Sequence, residues 1–164
     1  MFFRTISYLK FLLKSTNQHG VHSPFVYYFI TKGLYQKSKK DTISIKYPVL
    51  KSLKRSERKV LSKIIQYFNI DTISFDLNDS TENLDKEYHV LYLKLSDDLI
   101  LPPLEQLTSK HFVVVSDIYK NKKTNVKWLE IIEKEAATVT INLFYFGIIF
   151  YRKEQAKEHF NIRV

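Results

Sequence analysis

Cysteine is absent from this 164-residue chain, and glycine nearly so. Without cysteine there can be no disulfide, no thiolate zinc site and no cysteine nucleophile. Such a chain suits a reducing compartment, and the expected location is the cytoplasm. The three glycines, Gly20, Gly33 and Gly147, stand far apart. No Gly-rich loop that could cradle a phosphate therefore exists. Long hydrophobic runs are also missing. The longest, residues 143–151, falls well short of the about 20 needed to span a bilayer. The apolar N-terminus is broken by Arg4, Lys10 and Lys14, and no small-residue cleavage site follows it.

The composition is that of a globular protein, with 45% hydrophobic and 26% charged residues. The length predicts one domain, 1–164, large enough to bury a core without covalent staples. Positive charge is concentrated. From Lys32 to Lys63 there are eleven Lys and Arg against Asp41 and Glu57, which accounts for the whole formal excess of +9. A segment of that kind favours anionic partners, nucleic acid among them.

Residues 2–14 place Phe2, Phe3, Ile6, Leu9, Leu12 and Leu13 at helical spacing, away from Arg4, Ser7, Lys10 and Lys14. Such a helix either packs on the domain or lies on a membrane surface. Residues 15–23 read as a polar linker. Ser23 and Pro24 are a helix cap and first-turn proline for a helix to about Gln36. After a basic connector, 37–46, Pro48 opens a second helix expected to run to about Phe68. Leu50, Leu53, Val60, Leu61, Ile64, Ile65 and Phe68 face inward and Lys51, Lys54, Arg55, Arg58, Lys59 and Lys63 outward. That basic face is either solvated or contacts phosphates, and it has few aromatics for base stacking.

Strands are expected at about 72–77, 89–95 and 111–116, with a short helix at 102–109 and another at 126–135 carrying Trp128 or Leu129, Ile132 and Ala136 inward. Residues 138–144 and 148–152 read as a hairpin around Phe146-Gly147, with Gly147 as the turn glycine. Together these predict a three-layer α/β domain with a mixed sheet. Two stretches hold candidate chemistry. Ile73-Ser74-Phe75-Asp76-Leu77-Asn78-Asp79-Ser80 runs from a buried strand into a polar turn, where an open α/β sheet binds nucleotide-like ligands. His19 and His22 bracket Gly20 before a helix. They are proton-transfer groups or metal ligands, or they hydrogen-bond loop backbone. Without a nearby carboxylate they make a poor metal site, and no metal is expected.

Three stretches resemble a known group. They are Tyr8-Leu9-Lys10-Phe11-Leu12-Leu13-Lys14 with Asn17-Gln18-His19-Gly20-Val21-His22-Ser23-Pro24-Phe25; Gln66-Tyr67-Phe68; and Phe146-Gly147-Ile148-Ile149-Phe150-Tyr151-Arg152 through Lys157-Glu158-His159-Phe160 to Ile162-Arg163-Val164. The chain resembles a Bacteroidetes-type family of class I S-adenosylmethionine-dependent methyltransferase-like proteins, closely at both ends and weakly in the middle. The resemblance implies a reduced Rossmann-like class I methyltransferase fold. Its mixed sheet would have about five strands, in the family order first, fourth, fifth, seventh, sixth. Residues 1–47 form an N-terminal helical extension and 48–164 the reduced core, ending in an antiparallel hairpin.

The resemblance also implies roles. Asp76, Asn78 and Ser80 fall where the family's first strand meets S-adenosylmethionine, and Lys94 where its fourth strand ends. Asp117 keeps one of two family aspartates. In an active enzyme with a minimal pocket, His19 or His22 would reach in as a base. Asn78 replaces a family glycine. Residues 78–87 replace two strand–helix units, one of which supplies the ribose-binding carboxylate. The expectation is therefore a methyltransferase-fold protein that has lost S-adenosylmethionine binding and acts as a pseudoenzyme or a binding subunit, with a protein partner or a second copy. The alternatives are an active methyltransferase with a minimal pocket, and nucleic-acid binding through residues 32–63.

Overall fold

A computed structural model of the chain describes residues 2–37, 43–76, 88–96 and 108–164. The chain divides into two compact units. One joins the N-terminal residues through Thr16 to Thr72–Arg163, and the other is Asn17–Asp71. The first helix thus clusters with the sheet, while the second and the basic helix cluster with each other.

The sheet unit begins with α1, Phe2–Lys14. Its strands are β1 (Ile73–Ser74), β2 (His89–Lys94), β3 (His111–Ser116), β4 (Val139–Asn142), β5 (Phe146–Phe150) and β6 (Glu158–Asn161), with a helix at Lys122–Glu133 between β3 and β4. The order across the sheet is β1-β2-β3-β5-β4-β6. β5 runs against its neighbours β3 and β4, whereas the β1–β2, β2–β3 and β4–β6 pairs are parallel. The mixed sheet and terminal hairpin are as expected, and β1 to β5 follow the anticipated order with β1 outermost among the described strands. The sixth strand was not anticipated. Its charged start, Glu158-His159, hides a period-two pattern, and β4 recruits it in register Asn142↔Asn161. Beyond it, Thr16 forms a parallel bridge to Ile162.

Register explains the core. Leu91, Val113, Val115, Gly147 and Ile149 share one sheet face, since Leu91 pairs Val113, Val113 pairs Ile149 and Val115 pairs Gly147. The helix Lys122–Glu133 lays fully buried Trp128 with Ile131 and Ile132 on that face. Its start is set by a reciprocal cap. Asn121 Oδ1 accepts from Thr124 N at 2.9 Å, and Thr124 Oγ1 accepts from Asn121 N at 3.1 Å. The helix begins four residues earlier than expected, because Asn121 and not Val126 marks its start. Leu129 points outward, 53% exposed.

The hairpin differs from expectation in one respect. Gly147 lies inside β5, and the turn is Leu143-Phe144-Tyr145. The positive φ, 66°, falls on Phe144. Gly147 is needed for close approach instead, because a Cβ there would overlap the Trp128 ring. Phe144 keeps its uncommon backbone because its ring is held by others. It stacks on Tyr119 at 4.8 Å and contacts Tyr8 and Phe11 at 4.8 and 5.6 Å.

α1 forms over the expected range, but its long stripe is not its inner face. Ser7 and Phe11 are buried, whereas Phe2, Ile6, Leu9 and Leu13 are exposed. The last four recur on one side of the helix at the spacing of an apolar seam.

In the second unit, Ser23 caps α2 (Pro24–Tyr28) as expected, its Oγ accepting from Val26 N. The helix then widens over Phe29–Leu34, where Tyr35 N donates to Ile30 O five residues back. A Cβ at Gly33 would lie 2.9 Å from Tyr67 Cγ, so glycine lets this turn press on the basic helix. The single helix expected from Pro48 to Phe68 is two pieces. A 3-10 segment, Pro48–Ser52, is followed after a break at Leu53-Lys54 by α4, Arg55–Tyr67. Lys54 is extended, and its N–H donates to Glu57 Oε2, starting a new helix there. Within the basic connector, Ile43–Lys46 forms one helical turn, α3. The helix expected to open at Pro102 and Pro103 lies outside the described residues. No helix among the described residues is long and apolar enough to cross a membrane.

Candidate functional site

With only β5 reversed, the carboxyl ends of β1, β2, β3, β4 and β6 share one edge of the sheet. That edge receives most of the chemistry available to the sheet unit. Asp76 follows β1 and is exposed. Lys94 ends β2, and its Nζ lies 3.7 Å from Asp117 Oδ2 just after β3. Asp117 sits at φ 63°, a backbone that aspartate tolerates better than most residues. Lys120 N closes the turn onto the Asp117 carbonyl at 3.0 Å. The structure thus brings Lys94 and Asp117 together. Asn78 and Ser80 lie outside the described residues.

His19 and His22 belong to the other unit, and both are exposed. His19 sits in a one-turn 3-10 segment capped by Asn17, whose Oδ1 accepts the His19 N–H at 3.0 Å. Its Nε2 lies 3.2 Å from Gln18 Nε2. Among the described residues no group of three or more His, Asp or Glu is placed to hold a metal ion.

Part of the basic segment is committed to its own fold. The Lys63, Arg58 and Lys46 side chains donate to the carbonyls of Leu34, Leu53 and Asp71. Burial, with Lys59 nearby, lowers the Lys63 pKa. Lys51, Lys54, Arg55 and Lys59 remain on the surface.

The other end of the sheet edge holds a polar group that sequence reading missed. Thr140 and Asn142 on β4 stand opposite His159 and Asn161 on β6, all on the face under the two helices. Thr140 Oγ1 meets His159 Nδ1 at 2.8 Å. Asn142 Nδ2 donates to Asn161 Oδ1 and to Tyr119 Oη, both at 2.8 Å, and Asn142 Oδ1 accepts from Phe144 N. Burial lowers the His159 pKa against opposing effects from Asn161 and Glu133. Burial raises the Tyr119 pKa, with Asn142 opposing. His159 is therefore a neutral imidazole at neutral pH, and Tyr119 a phenol. The available signal was alternation, since Thr140/Asn142 and His159/Asn161 put polar residues at every second position of strands otherwise rich in apolar ones.

A cavity of about 340 Å³ opens above this group, between α1 and the helix Lys122–Glu133, which we call α5. The volume is that of a small metabolite site.

The chain matches no protein-family model, no curated protein and no solved structure.

Proposed function

We propose that this protein is a reduced methyltransferase-like α/β protein that works by binding, as a pseudoenzyme or subunit, and does not transfer methyl groups. One observation carries the reading. Lys94 and Asp117, at the ends of the strands where the resemblance puts cofactor and catalytic groups, lie 3.7 Å apart and answer each other's charge. A class I cofactor needs a carboxylate for its ribose, a free cation for its carboxylate, and backbone at close range. The described edge supplies an exposed Asp76 and a lysine already facing an aspartate, with no glycine beside either. Both features support a loss of S-adenosylmethionine binding.

The test is calorimetric titration of the full chain with S-adenosylmethionine and S-adenosylhomocysteine. The expected result is no saturable heat at millimolar ligand. Micromolar binding that is lost in Asp76→Ala or Lys94→Ala would overturn the reading and restore a minimal transferase pocket.

A further inference from the structure

We propose that the cavity between α1 and α5 binds a small organic anion, a carboxylate or phosphate monoester carried on an apolar or aromatic body. The inference stands apart from the loss of methyl transfer, because the cavity does not use Asp76, Lys94 or Asp117.

The first argument is the imbalance of hydrogen-bonding groups. Among the described residues no aspartate or glutamate lines the cavity. Its charged groups are cations, and several of its polar groups have a donor to give. Lys10 and Lys14 of α1 bring two ammonium groups, neither with a hydrogen bond or ion pair among the described residues. Tyr119 Oη accepts from Asn142, which leaves its own proton to give. Asn161 uses its oxygen toward Asn142, which leaves its amide N–H groups. Asn142 Oδ1 is taken by the Phe144 N–H and His159 Nδ1 meets Thr140, while Ser7 and Asn125 can each give or accept. A site rich in donors and free of carboxylates selects a ligand rich in acceptors.

The second argument is a rigid aromatic floor. Trp128 is completely buried and lines the cavity. Its far ring edge is pressed against Gly147, which holds the ring in place. A fixed indole suits the apolar or aromatic body of a ligand, not a bare ion.

The third argument concerns shape and field. Phe11, Leu129 and Ile132 supply an apolar wall, so the ligand is not a bare ion. The chain contains no aspartate or glutamate before Asp41, so α1 approaches the cavity with basic residues alone. Glu133 acts on His159 but does not line the cavity.

Trp128 is the chain's one tryptophan, so its fluorescence reports on the site directly. The experiment titrates the full chain with phenyl phosphate and with octanoate, against inorganic phosphate, benzyl alcohol and benzylamine. At least one of the two organic anions is expected to change Trp128 emission saturably. Inorganic phosphate, the alcohol and the amine should each bind at least about tenfold more weakly. The double substitution Lys10→Ala/Lys14→Ala should weaken the anion at least about tenfold with an unchanged melting temperature. Leu129→Glu, which puts a carboxylate at an exposed lining position, should do the same. The proposal is overturned by no saturable change with either organic anion up to about 10 mM. It is equally overturned if any control binds as tightly, or if both variants, folded as judged by melting, keep the parent affinity. Calorimetry with S-adenosylmethionine reads the other end of the sheet edge, so the two readings fail separately.

Discussion

The Trp128 indole lies directly against the backbone of Gly147, so closely that no β-carbon fits between helix and strand. The contact joins α5 to β5 at the centre of the sheet unit. It also fixes one wall of the cavity, because Trp128 is part of both.

Gly147→Ala therefore has to displace a fully buried ring. Overpacking of this kind costs about 1–3 kcal/mol. In a chain of this size, thermal unfolding should shift downward by about 2–4 °C per kcal/mol. Gly33→Ala, whose Cβ would lie 2.9 Å from Cγ of half-buried Tyr67, overlaps its neighbour less deeply and should cost less. Differential scanning calorimetry of the two variants checks the order.

At Phe144 the usual ranking of alanine and glycine should invert. Both substitutions lose the ring contacts with Tyr8, Phe11 and Tyr119, a loss of about 3–5 kcal/mol for a buried aromatic. Only alanine keeps the penalty of φ 66°. Phe144→Gly should therefore be more stable than Phe144→Ala by about 1 kcal/mol, measured by urea unfolding. Equal stability, or the ordinary order, would show that this turn is not under backbone strain.

On α1, positions on opposite sides of the helix should behave oppositely. Phe11→Ala empties a buried site and should cost about 3–5 kcal/mol. Leu9→Lys and Leu13→Lys alter residues 57% and 88% exposed, and should move stability by no more than about 0.5 kcal/mol. Chemical denaturation of the three variants decides whether α1 sits as described.

Acidification should destabilise the fold between pH 7 and 5. His111 and His159 both have pKa values below the ordinary 6.5. For His111 the causes are burial and then His89, whose ring stacks on it at 5.1 Å. For His159 burial dominates over the opposing Asn161 and Glu133. Because the folded values lie lower, the unfolded chain takes up protons first as pH falls through 6.5, and stability declines until the folded values are passed. Well above 6.5, where both histidines are neutral in both states, neither contributes a pH dependence. Urea midpoints at pH 7.5 and 5.5 measure the loss, and the double substitution His111→Gln/His159→Gln should reduce it.

Much of this molecule was readable from local pattern. Ser23-Pro24 marked a helix start, and His111–Ser116 read as a buried strand because a run of apolar residues with β-branched ones has few other uses. The hairpin was found but its turn was misplaced. Glycine normally marks a turn, yet Gly147 answers a requirement set by Trp128, about twenty residues earlier in sequence. The break at Leu53-Lys54 was hidden by an apolar period that carries on through it. For the candidate site, two of the residues chosen from the strand ends, Lys94 and Asp117, lie 3.7 Å apart. The cavity went unnoticed because Ser7, Tyr119, Trp128, Asn142 and Asn161 come from separate stretches, none of which is a motif.

The sequence by itself determined the class of the protein. Strand and helix periods, the cap signals and the lack of cysteine and glycine are all properties of neighbouring residues, and they suffice for an α/β chain with no phosphate loop and no disulfide. The tertiary structure alone decided which strands share an edge, which side of α1 is covered, and that Lys10 and Lys14 share a cavity with Tyr119 and Asn161. Those outcomes depend on strand register and on the fit of one side chain against distant backbone. Register is set by pairing between segments far apart in the chain, so no local pattern carries it.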